Sequence, residues 1–89
     1  MKIFRYENKH NGCGPFFTLS GINSADGKLY DNGGFLYACL SEEKCINLMS
    51  EYGIYGLKDY HIVEYEIPEK EVKIKGREVL FPKKYSPFI

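Results

Sequence analysis

The chain has 89 residues, 44 % apolar and 16 % aromatic, with eight Tyr and six Phe; that length holds one domain, and that apolar content excludes a disordered chain. Twelve basic residues balance twelve acidic ones, which excludes wholesale neutralisation of nucleic-acid phosphates and, equally, a carboxylate-coated mimic of DNA. No apolar run reaches the ~18 residues of a membrane span and the first residues lack a signal-peptide core, so the expectation is a cytoplasmic protein with no membrane contact.

In chain order, Lys2–Glu7 alternates, with Ile3 and Arg5 on one side and Phe4 and Tyr6 on the other, and its β-branched and aromatic content predicts a first strand. Asn8–Pro15 carries the turn dipeptides Asn11-Gly12 and Gly14-Pro15. Phe16–Ser20 reads as a short extended segment, and Gly21–Gly34 as a long polar loop of the kind that is often functional. Phe35–Leu40 is a continuous apolar run, predicted to be buried on both faces. Ser41 is the expected N-cap of a helix over Glu42–Tyr52, with Glu42 and Glu43 at the positive end of the helix dipole. Cys45, Ile46, Leu48, Met49 and Tyr52 form its apolar stripe, and Gly53 ends it.

Tyr60–Ile67 is the next strand, with His61, Val63, Tyr65 and Ile67 on one face, Glu64 and Glu66 on the solvent side, and Pro68 as its stop. Glu71–Lys75 alternates with Val72 and Ile74 inward and lysines outward. Glu78–Phe81 is the last strand before Pro82. The fold class is therefore α+β. The expectation is one domain over residues 1–89, with a small antiparallel or mixed sheet of four to five strands and one helix packed on a face.

Three constellations bear on chemistry. His10 and Cys13 are spaced as His-x-x-Cys, and Cys39 with Cys45 could complete a zinc-type set. Cys39, however, lies in an apolar strand and Cys45 on the buried stripe of the helix, where a thiol acts as a small hydrophobe; no metal is expected. Three cysteines are also an odd and sparse set, read as reduced thiols and not a disulfide framework. Cys13 in its glycine turn, near His10 or His61, has the elements of an activated thiol but no third member. Glu64 and Glu66 share a face as an acid–base pair would, on a strand face that reads as solvated.

Two resemblances add to this reading. Gly76–Pro82, GREVLFP, resembles the Glu/Gln-x-Glu-Val-Leu-hydrophobic-Pro stretch of ADP-ribosyltransferases, although Gly76 stands where that family has its first Glu or Gln. The strand with Arg5 and Tyr6 resembles the one carrying their NAD-contacting arginine, and Phe17–Ser20 their serine motif. That resemblance implies Glu78 as the catalytic glutamate, Arg5 as the NAD-phosphate contact and Ser20 as a support for Glu78. More of the chain is similar to small phage and mobile-element proteins: the Lys2–Glu7 strand, the Gly12–Pro15 turn, the cap and helix over Leu40–Tyr52, and the Val63–Pro68 strand.

The second resemblance implies an accessory role, such as blocking a host defence complex in the manner of anti-CRISPR proteins. The expected function is thus a non-catalytic inhibitor that binds a host protein or ribonucleoprotein without a cofactor, direct nucleic-acid binding being less favoured. A minimal NAD-dependent ADP-ribosyltransferase, or a nucleotide-binding relic of one, is the alternative. Under the binding reading the contact residues are Tyr30, Tyr37, Tyr55 and Tyr85 with the basic C-terminal run Lys73, Lys75, Arg77, Lys83 and Lys84. Tyrosine offers large contact area with a polar tip, which suits interfaces.

Overall fold

A computed structural model describes residues 1–10, 12, 14, 16–18, 21–23 and 34–87. Strand β1 (Lys2–Asn8) pairs antiparallel with β5 (Tyr60–Glu66), so that Ile3 faces Tyr65 and Arg5 faces Val63. Strands β2 (Phe16–Thr18) and β3 (Gly21–Asn23) form a hairpin of their own. Strand β4 (Phe35–Ala38) pairs with β7 (Glu78–Pro82), which also pairs with β6 (Lys73–Lys75). An isolated bridge joins the first and third sheets, Phe4 N–H donating to Cys39 O at 2.8 Å and Cys39 N–H to Phe4 O at 2.7 Å. The strands therefore run in the antiparallel order β5–β1–β4–β7–β6.

The helix α1 (Glu42–Glu51) forms where its local chemistry directs. Ser41 is extended, at φ −147 and ψ 159, and its Oγ accepts from Lys44 N–H at 3.1 Å. At the other end Gly53 takes φ 74. Gly53 N–H donates to Ser50 O at 3.0 Å and Ile54 N–H to Met49 O at 2.9 Å, the paired bonds of a Schellman stop. The stop delivers Ile54, fully buried, under the helix.

The sheet separates two apolar clusters. Tyr6, Cys39, Cys45, Leu48, Met49 and Ile54 pack between the sheet and α1. Ile3, Leu36, Ala38, Tyr65, Ile67, Val79 and Phe81 fill the opposite, inner face, with Val63, Val72 and Tyr85 against them. The Cα radius of gyration, 12.0 Å, equals the roughly 12 Å expected of a single compact unit of this length. No helix among the described residues is long and apolar enough to cross a membrane.

Three expectations need correction. Gly21–Asn23 is strand β3 and not loop, because its three backbone residues find a partner in β2. The Phe35–Leu40 run is not buried on both faces: Leu36, Ala38 and Cys39 are buried, Phe35 and Tyr37 are half-buried, and Leu40 is exposed. The helix covers the outer face only as far as Cys39, and Phe35 and Tyr37 lie beyond it. Ile74 shares the inward face with its partner Val79, yet it is 65 % exposed, since the inner core ends at Val79 and Val72 and leaves the edge strand overhanging.

Candidate functional site

The strongest concentration of polar groups in the interior starts on β1. Alternation sends Phe4 and Tyr6 toward the helix and Ile3, Arg5 and Glu7 toward the inner face. Arg5 is 6 % exposed and Glu7 2 %, a placement charged side chains adopt only when paired. Arg5 Nε donates to Glu7 Oε2 at 3.1 Å, Nη1 to Tyr37 O at 2.9 Å and Nη2 to Gly12 O at 3.3 Å. Gly14 lies against the same guanidinium, where a Cβ would come within 3.1 Å of Nη2. Tyr65 closes the far side, its hydroxyl donating to Glu7 Oε2 at 2.9 Å and also bonding Ser86. Burial, and then the Glu7 charge, push the Tyr65 phenol up to about 12. Every arm of Arg5 thus holds backbone or an internal carboxylate. The network fixes Gly12 and β4 onto β1.

Glu78, the proposed catalytic partner of Arg5, is half-buried. Because Val79 belongs to the inner core, alternation directs Glu78 to the outer, helix-side face, opposite to Arg5. Burial raises the Glu78 carboxyl above its ordinary value, with Arg77, Lys75 and Arg5 pulling the other way. Arg5 therefore acts on Glu78 through space, and the two side chains do not line one face. Ser20 and Tyr30 lie outside the described residues, as does Cys13.

The cysteines that are described, Cys39 and Cys45, are both buried beneath α1. Both are free thiols, and a hydrogen bond to Cys45, followed by burial, pushes the Cys39 thiol strongly upward. His10 is far from them on the surface, its Nε2 3.3 Å from Asp59 Oδ1, and His61 is exposed. Among the described residues no three His, Cys, Asp or Glu side chains are placed to hold a metal ion. Glu64 and Glu66 are exposed on β5.

The basic C-terminal run divides into two groups. Arg77 bonds Glu51 at 2.6 Å, which lowers the Glu51 carboxyl, and Lys84 Nζ lies 3.3 Å from Glu71. Tyr85 also bonds Glu71 through its hydroxyl and packs on the inner core. Lys83 is half-buried, and its backbone N–H donates to Gly34 O at 2.9 Å. Lys73 and Lys75, by contrast, are exposed and lie over aromatic rings. Lys73 Nζ is 4.3 Å from the Phe35 ring centroid, and Lys75 Nζ is 5.4 Å from that of Tyr37 while donating to the Tyr37 hydroxyl at 3.0 Å. This outer patch of two cations over two aromatics brings together three of the expected contact residues, Tyr37, Lys73 and Lys75, and the others that are described lie elsewhere. Tyr55 is 51 % exposed and sits elsewhere, beside Tyr6 at a ring distance of 6.3 Å.

Sequence reasoning missed Glu7 and Gly12 as partners of Arg5, and Tyr65 as the partner of Glu7. It also missed Tyr6, whose hydroxyl donates to Ile54 O at 3.0 Å and accepts from Gly56 N–H at 3.1 Å and Leu57 N–H at 2.9 Å. The available signal for the first set was a pair of opposite charges two apart on a strand face that also carries Ile3. Compared with known proteins, the chain matches no family model, no curated protein and no solved structure.

Proposed function

We propose that this chain is a non-catalytic binding protein of the phage accessory type, which occupies and blocks a surface of a host protein or ribonucleoprotein through the outer patch of β4 and β6. The observation that carries the reading is the arrangement of Lys73 and Lys75 over Phe35 and Tyr37 on an exposed edge strand. Stacked in this way, each lysine is held against a ring while remaining exposed, so less side-chain entropy is lost when an acidic partner arrives. Aromatic area beneath the cations adds apolar contact at the centre of the patch. The phage setting rests on the sequence resemblance alone.

The test is capture from bacterial lysate on immobilised protein, comparing the wild type with Lys73→Glu/Lys75→Glu. A partner retained by the wild type and lost by the double reversal is expected, with an unchanged thermal melt showing that the variant is folded. Equal capture by both, or capture by neither, overturns the assignment. The NAD-handling alternative needs Arg5 and Glu78 to act on one ligand, and their opposite placement weighs against it. Saturable binding of NAD that is lost in Glu78→Gln would restore it.

A further inference from the structure

We infer that β6 receives an extended acidic–apolar–acidic segment of the partner as an added antiparallel strand; this inference rests on the binding function proposed above. Among the described residues no strand pairs with the outer edge of β6, which is the last strand of the order β4–β7–β6. Lys75 and Glu78 are register partners across the two-residue turn Gly76–Arg77, with Gly76 at φ 62. In such a hairpin the pair flanking the turn is the hydrogen-bonded one, and pairs alternate from there. Lys75 and Lys73 therefore direct their backbone groups inward to β7. Ile74 directs its N–H and C=O outward, toward the open edge.

This placement specifies what can dock. The residue opposite Ile74 shares its face and meets a side chain that is 65 % exposed, so an apolar residue is favoured there. The flanking residues fall on the face of Lys73 and Lys75, where carboxylates complete opposite-charge cross-strand pairs. A second copy of this chain is disfavoured as the occupant. An antiparallel copy centred on Ile74 sets Lys73 against Lys75, and like charges directly opposite repel. The same lysines that deter self-pairing thus select an acidic strand.

The experiment titrates the ¹⁵N-labelled protein with an acetylated, amidated peptide of alternating Glu and Val, followed by amide spectra and hydrogen exchange. Binding is expected to shift the Ile74 amide and slow its exchange, and to weaken about tenfold in Lys73→Glu/Lys75→Glu. The same peptide with N-methylated valines keeps its charge but loses the donor aimed at the Ile74 carbonyl, and it too is expected to bind at least tenfold more weakly. Equal binding of the methylated and unmethylated peptides overturns strand addition and leaves the basic patch as a charge-only surface. No binding of either peptide, with lysate capture intact, overturns the acidic–apolar–acidic specificity while the broader function stands. Concentration-dependent dimers of the wild type, abolished by Ile74→Pro through loss of the outward N–H, would replace the proposed occupant with a second copy.

Discussion

Removing the Glu7 carboxylate isolates the effect of burying a charge pair in so small a chain. In Glu7→Ala the Arg5 guanidinium keeps its bonds to Tyr37 O and Gly12 O but loses its hydrogen-bonded carboxylate, and the Tyr65 hydroxyl loses its acceptor. Breaking a buried pair from one side costs about 3–5 kcal/mol, because the remaining charge stays desolvated. A chain of this length has roughly 4–13 kcal/mol of stability in total, so the variant is expected to lose a large fraction of it. With roughly 4–8 °C per kcal/mol for a domain of this size, the melting temperature falls by on the order of 12–40 °C. The chain has no Trp, so urea unfolding followed by far-ultraviolet circular dichroism is the suitable assay. Arg5→Met is expected to cost as much or more, since it also strands two carbonyls. The double variant is expected to be more stable than the sum of the singles implies, by about 2 kcal/mol. A loss below about 1 kcal/mol for Glu7→Ala, or strict additivity in the cycle, would refute the buried pair as the connection between β1, Gly12 and β4.

Three further perturbations report on separate elements. The Tyr65 phenol, held at about 12 by burial and the Glu7 charge, is expected to stay protonated in the folded state through pH 11. The stability this contributes is complete below the unfolded value near 10 and is lost as pH rises from about 10 to 12, amounting to about 3 kcal/mol; ultraviolet titration of wild type against Tyr65→Phe reads it, and a tyrosinate signal difference already present below pH 10 would contradict it. Tyr6→Phe keeps the ring but leaves Ile54 O and the N–H groups of Gly56 and Leu57 without their partner. It should cost about 2 kcal/mol and accelerate exchange of those two amides, and unchanged exchange would rule out the hydroxyl as the clamp on that loop. Ser41→Ala should cost about 1 kcal/mol through the lost N-cap, with Ser41→Asp restoring most of it in a thermal melt.

The helix was legible because everything that makes it is local. Ser41, the two glutamates, the Cys45–Leu48–Met49 stripe and Gly53 lie within one short stretch, and the structure uses each of them in the expected role. The strands were legible through alternation, and so was the face of each residue. Alternation specifies direction but not depth. Ile74 points inward over an edge where the core has ended, and Arg5 points inward into the middle of it. The burial of Arg5 depends on Tyr37 O, Gly12 O and the Glu7–Tyr65 pair, whose two members are 58 residues apart along the chain, which no local pattern contains. Strand β3 escaped notice for a related reason, since three residues beginning with a glycine carry little strand character until β2 lies beside them. In the basic C-terminal run, the residue types were evident in sequence. Only the fold separates Arg77 and Lys84, which meet carboxylates, from Lys73 and Lys75, which lie on rings.

The pairing of β1 with β5 also bears on how the chain is made. Glu7 meets Tyr65 across 58 residues, and at synthesis rates of roughly 5–20 residues per second the first strand waits on the order of 3–12 s for its partner to be translated. During that wait it is an unpaired, aromatic-rich segment, the kind of sequence that nascent chains stick by. Lys2, Arg5 and Glu7 interrupt its apolar residues, and charges so placed discourage premature association. Two of those three are later enclosed in the inner face. The same pair that secures the finished fold therefore also acts as a solubilising guard on the ribosome, before any of its eventual neighbours exists.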